Sequence, residues 1–105
     1  MSEAVLLGSI QKLSIPFGTK ESMDSLIKQA EKAKYVLLGE ASHGTSDFYQ
    51  VRAELSKRLI AEHGFRFIAV EGDWPSCYTL NRYIKNYPDA AADGREALND
   101  FNRWP

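Results

Sequence analysis

Apolar positions recur at helical spacing over much of this chain. Val5, Leu6, Leu7, Ile10 and Leu13 mark a short amphipathic helix. Ile15-Pro16-Phe17-Gly18 breaks it, because the residue before proline avoids helix and glycine favours a turn. Thr19 is placed to cap the next helix. Met23, Leu26, Ile27 and Ala30 then fall at i, i+3, i+4 and i+7, which predicts a helix from Glu21 to Ala33. Lys20, Lys28, Lys32 and Lys34 lie mostly off that face.

The pattern changes at Tyr35-Val36-Leu37-Leu38-Gly39. A short continuous apolar run closed by glycine reads as a buried strand of a parallel sheet. Glu40-Ala41-Ser42-His43-Gly44 follows as a loop. Thr45 or Ser46 caps a helix carrying Phe48, Val51, Leu55, Leu59 and Ile60, with Asp47 in its first turn. That helix ends near His63, with Gly64 as its C-terminal cap. Phe67-Ile68-Ala69-Val70 reads as a second strand, and Glu71-Gly72-Asp73-Trp74-Pro75 as a second loop. A helix over Ser76 to Ile84 carries Tyr78, Leu80, Tyr83 and Ile84. Tyr87-Pro88-Asp89 ends it, and Gly94 to Phe101 holds a further turn or two.

Residues 35–70 therefore predict a strand–helix–strand unit with a right-handed parallel crossover, and an α/β fold. The expected architecture is a parallel-sheet three-layer sandwich. It is incomplete, because two strands that are apolar on both faces call for further strands at their edges. Residues 1–105 are then read as the N-terminal part of a longer α/β domain whose open sheet edges favour self-association. A small α/β domain that dimerises to cover its edges is the alternative.

Composition narrows the function classes. Thirteen Lys and Arg against fourteen Asp and Glu give a formal net charge of -1, which argues against binding to nucleic acid or an acidic membrane. Nothing approaches the ~18 consecutive apolar residues of a membrane span, and the N-terminus lacks the pattern of a secretory signal. A single cysteine, Cys77, excludes an internal disulfide and a cysteine-rich zinc site, and it fits a cytoplasmic location.

Ligands of an open parallel sheet bind beyond the carboxyl ends of its strands. Glu40 and His43 follow the first run, and Glu71 and Asp73 the second. If the runs are neighbours, two glutamates and an imidazole share one rim. Arg52 lies at the edge of the helix's apolar stripe, where its side chain leans back toward the same rim and toward carboxylate partners. Such a cluster suits hydrolysis. A carboxylate fixes the imidazole tautomer, and the imidazole takes a proton from water. Amides around Gly44, Thr45 and Ser46 open a helix and offer stabilisation to negative oxygen.

Each residue taken alone has a plainer reading. Glu-x-x-His is common in solvated turns, Asp73 is a helix cap, and Arg52 is a snorkelling surface residue. His63 reads as a charge at a helix C-terminus and Cys77 as a small core residue; Trp74, Tyr78 and Tyr83 read as core aromatics. Ser42 is too close to His43 along the chain to form a Ser–His couple. There is no Gly-x-Ser-x-Gly elbow and no phosphate-binding glycine loop. Glu40, His43, Glu71 and Asp73 are acceptable ligands for a divalent ion, so a metal-dependent hydrolase is the chemical rival. One histidine among carboxylates is a poor zinc set, which ranks a metal-free general base, with no cofactor, above it.

Leu38-Gly39-Glu40-Ala41-Ser42-His43-Gly44-Thr45, with Phe48, Arg52, Leu55, Leu59, Gly64-Phe65 and Val70-Glu71, resembles the erythromycin esterase family. The resemblance runs over roughly residues 15–105, and the Gly-Glu-x-x-His-Gly loop is its most specific part. It implies an α/β core with added helical parts, a chain several-fold longer, and hydrolysis of the lactone ester of macrolide antibiotics, hence antibiotic resistance. It places the general base on His43, its supporting glutamate on Glu40, an active-site arginine on Arg52 and a second glutamate on Glu71. It also implies further active-site histidines downstream. The function expected is a carboxylic-ester hydrolase acting on a small-molecule ester or lactone. An inactive fragment or partner-dependent half-domain is the alternative from a different class.

Overall fold

The computed structural model describes residues 2–18 and 20–102. Its described residues form five helices and no strand: α1 (Glu3–Leu13), α2 (Lys20–Ala30), α3 (Ser46–His63), α4 (Trp74–Ile84) and α5 (Gly94–Ala97). The chain divides into two compact units, residues 1–66 and 67–105.

The α/β sandwich expected from the sequence is thus corrected to an all-helical arrangement. A strand exists only where its N–H and C=O groups ladder onto a neighbour. The two apolar runs fall in different units, 35–38 in the first and 67–70 in the second, and neither forms a ladder. Without a sheet, the expected self-association through open sheet edges loses its basis.

In the first unit α2 and α3 pack on Ile27, Leu55 and Leu59, with Met23, Ala30, Val36, Leu38, Val51 and Phe65 around them. The two stripes are those that helical spacing predicts, although Leu26, Phe48 and Ile60 stay exposed. Arg58 ties the helices together. It reaches Asp24 of α2 at 2.7 Å and forks onto Glu62 one turn along α3, at 2.8 and 3.0 Å. Donating hydrogen bonds to Glu62, then to Asp24, pushes the Arg58 pKa further up, while accepting from Arg58 holds Glu62 below the ordinary carboxyl range. Gly64 caps α3 at φ 71°, a left-handed position that side chains resist. The proposed cap Thr19 lies outside the described residues. Helix α1 forms where predicted but buries none of its residues.

In the second unit α4 begins at Trp74, two residues before the predicted start, because Pro75 fits the first turn of a helix. Ala97 of α5 is fully buried. The Ser76 hydroxyl donates to the Asp100 carbonyl at 3.0 Å. Asp93 caps α5, accepting from the Glu96 amide at 2.8 Å, and Glu96 accepts from the Ala92 amide at 2.7 Å. Arg82 stands against the rings of Tyr78 and Tyr87 and pairs with Asp89. Trp74, Tyr78 and Tyr83, expected as core, are exposed; Trp74 and Tyr78 pack against each other at 5.0 Å.

Candidate functional site

Val36, Leu38 and Glu40 alternate with exposed Tyr35, Leu37 and Gly39. The two apolar members of that face rest on the α2–α3 core. A period of two thus carries Glu40 to the helix side of the chain, although no strand forms. The Glu40 side chain keeps 18 % of its exposure, low enough for its neighbours to govern its charge.

Two charged or titratable groups pair with that carboxylate. His43 Nδ1 lies 2.8 Å from Oε2. Arg52 Nη1, from the second turn of α3, lies 3.6 Å from Oε1, an ion pair longer than a hydrogen bond. Oε1 itself is enclosed and makes no hydrogen bond at full geometry. Tyr49 stands one helical turn before Arg52 on the same face of α3. Its hydroxyl is the strongest influence lowering the Glu40 pKa. Partial burial opposes it, and the charges of His43 and then Arg52 lower the pKa further.

The resulting order is chemically specific. An ionised carboxylate only accepts hydrogen bonds, so the Nδ1 facing it carries the proton. Neutral His43 is thereby the Nδ1–H tautomer, and its lone pair belongs to Nε2. The imidazole is 65 % exposed, which leaves it accessible to water and to a solute.

The loop between Glu40 and α3 is braced from within. Ser42 and Thr45 hydroxyls meet at 2.7 Å, so Thr45 holds the N-cap position of α3 without a side-chain capping bond. Gly44 adopts φ 81°, which only glycine takes without strain, and its N–H donates to the Tyr49 hydroxyl at 3.2 Å. The Gly44 amide, expected as a donor to an oxyanion, is therefore engaged with Tyr49.

The structure brings together Glu40, His43 and Arg52. Glu71 and Asp73 belong to the second unit, where Glu71 is exposed and Asp73 is the N-cap residue of α4. Sequence reasoning missed Tyr49. Its signal was available in the spacing, since Tyr49 and Arg52 are separated by i, i+3 on the helix that follows the loop. Among the described residues, no three His, Cys, Asp or Glu side chains gather as a metal-binding group. No described helix is long and apolar enough to cross a membrane.

No solved structure matches the chain. Residues 60–105 match the family model described as erythromycin esterase. That stretch includes Glu71 and α4, whereas Glu40, His43 and Arg52 precede it. The family that the loop motif resembles is thus the one whose model residues 60–105 match, and the match supports an esterase-like hydrolase at the level of the family.

Proposed function

We propose that the protein hydrolyses a carboxylic ester, with His43 as the general base. The observation that carries this reading is the 2.8 Å pairing of His43 Nδ1 with Glu40, a carboxylate whose pKa is lowered. Nε2 takes a proton from water as the water oxygen attacks the ester carbonyl carbon. The imidazolium that forms is stabilised by Glu40. Collapse of the tetrahedral oxyanion breaks the bond to the alkoxide, which recovers the proton from Nε2. The products are one alcohol and one carboxylic acid, which releases its proton to solvent as the carboxylate. Arg52 balances the charge of Glu40. The amides at the start of α3, beyond Gly44, favour negative charge on the oxyanion. Glu71 is a second carboxylate of the reaction by family resemblance.

The substrate class that resemblance supports is a macrolide lactone. Opening it adds one water and yields a linear hydroxy acid, which would inactivate the antibiotic and confer resistance. The test is turnover of a macrolide and of simpler esters, read by mass as the gain of one water. Replacing His43 by Ala is expected to lower the rate by about 10²–10⁴-fold, the usual contribution of a general base. A chelator is expected to leave the rate unchanged. Full turnover by the His43→Ala protein would remove His43 from the reaction, and loss of turnover on chelation would favour metal-dependent chemistry.

A further inference from the structure

We propose that Ser42 and Tyr49 are positioning residues, which clamp the chain on either side of His43 to the start of α3 and so fix where its ring stands. His43 lies between the two points of attachment. On one side the Ser42 hydroxyl meets the Thr45 hydroxyl at 2.7 Å. On the other, the Gly44 N–H donates to the Tyr49 hydroxyl at 3.2 Å. Thr45 is the N-cap residue of α3, and Tyr49 stands in its first turn.

A threonine at an N-cap ordinarily accepts a hydrogen bond from an amide of the first turn, which stabilises the helix. Thr45 makes no such bond, and its hydroxyl is turned to Ser42 instead. A helix that forgoes its cap for a loop contact shows a local stability rule yielding to placement, as functional sites do. Gly44 fits the same reading. Its φ of 81° is a turn that a side chain would strain, and at that turn its amide meets Tyr49. What needs placing is the imidazole. It is 65 % exposed, so packing does not hold it, yet its Nδ1 meets Glu40 at 2.8 Å. Glu40 follows the run that rests on the α2–α3 core through Val36 and Leu38. The course of residues 41–45 therefore sets the distance from carboxylate to ring. A base misplaced by about 1 Å loses on the order of 10²-fold in rate. The purpose of the clamp rests on His43 acting as the base, but the clamp itself does not.

The tests use the whole chain. In Ser42→Ala and in Tyr49→Phe, nitrogen-15 NMR of the neutral His43 ring is expected to move from protonated Nδ1 toward the tautomer mixture of a free imidazole. Ester turnover should fall roughly three- to tenfold in kcat in each, with little change in KM, as for loss of one neutral hydrogen bond. Ser42→Thr keeps the hydroxyl and should restore both readouts. Thr45→Val removes the same pair from its other end, and the double variant with Ser42→Ala should fall no further than either single one. In Ser42→Ala the freed Thr45 hydroxyl can cap α3, so the melting midpoint should hold or rise while kcat falls. Ring nitrogens unmoved in either Ser42→Ala or Tyr49→Phe overturn the proposal, because the clamp needs both sides. A melting midpoint that drops in step with kcat also overturns it, by making the pair a plain structural contact. Ring nitrogens that move, where even the unaltered protein hydrolyses no ester, keep the clamp and reject the hydrolase reading instead.

Discussion

Two segments of this chain look alike and end differently. Tyr35-Val36-Leu37-Leu38-Gly39-Glu40 and Phe67-Ile68-Ala69-Val70-Glu71 are both apolar runs that lead to a glutamate. In the first, Val36 and Leu38 lie on the α2–α3 core while Tyr35 and Leu37 are 77 % and 92 % exposed. In the second, Phe67, Ile68 and Val70 are all exposed, and so is Glu71. The difference is cover. Two helices with matched apolar stripes flank the first run and give alternate residues somewhere to go. Glu40 is placed as a consequence of that packing, at the end of a face that Val36 and Leu38 have already fixed.

Substitutions along the two runs and their supporting helices would sharpen or break this contrast. The largest effect is expected at the shared core. Leu59→Ala should cost about 2–5 kcal/mol in denaturant unfolding, as a buried leucine truncation does, and should loosen the Glu40–His43 pairing with it. A loss below about 0.5 kcal/mol would mean that the α2–α3 core does not support the first run. Gly64→Ala comes next. The left-handed cap at φ 71° resists a Cβ, and the expected cost is about 1–2 kcal/mol in the same measurement. The exposed members should do least. Leu37→Ser and Phe67→Ser are each expected within about 0.5 kcal/mol of the parent protein. A larger loss at Phe67 would show that the second run is covered after all.

The contrast also has a pH dependence. The Glu40 pKa is lowered from the ordinary value of 4.5, chiefly by Tyr49, and that of Glu62 chiefly by Arg58. Folding therefore lowers both, so their contribution to stability is complete above pH 4.5 and is lost as the pH falls through the lowered values. Unfolding midpoints should be level above that pH and decline below it. Glu62 is 46 % exposed, so solvent and salt weaken its share. A stability that rises on acidification would contradict both assignments.

Much of the local structure was legible in the sequence. The spacing of Met23, Ile27 and Ala30, and of Val51, Leu55 and Leu59, marks the two faces that meet. Gly64 marks the end of α3, and the break at Ile15-Pro16 the end of α1. The site was legible in part. Glu40 and His43 share one short loop, and Arg52 follows at a helical distance that lets a leaning side chain reach back. The sheet was not there to be read. An apolar run is equally content against a ladder or against helices, and periodicity does not say which is available. Residues 35–38 took the helices, and residues 67–70 took neither. Tyr49 escaped because its ring reads as one more amphipathic position until the glycine beside His43 turns its amide toward the hydroxyl.

The proposed chemistry depends on Glu40 dictating the tautomer of His43. The most direct measurement is nitrogen-15 NMR of the His43 ring at neutral pH. Protonated Nδ1 and unprotonated Nε2 are the expected result, with Nε2 losing its pyridine-like shift only as the ring is protonated. A neutral ring carrying its proton on Nε2 would contradict the pairing and leave the proposed base without its lone pair.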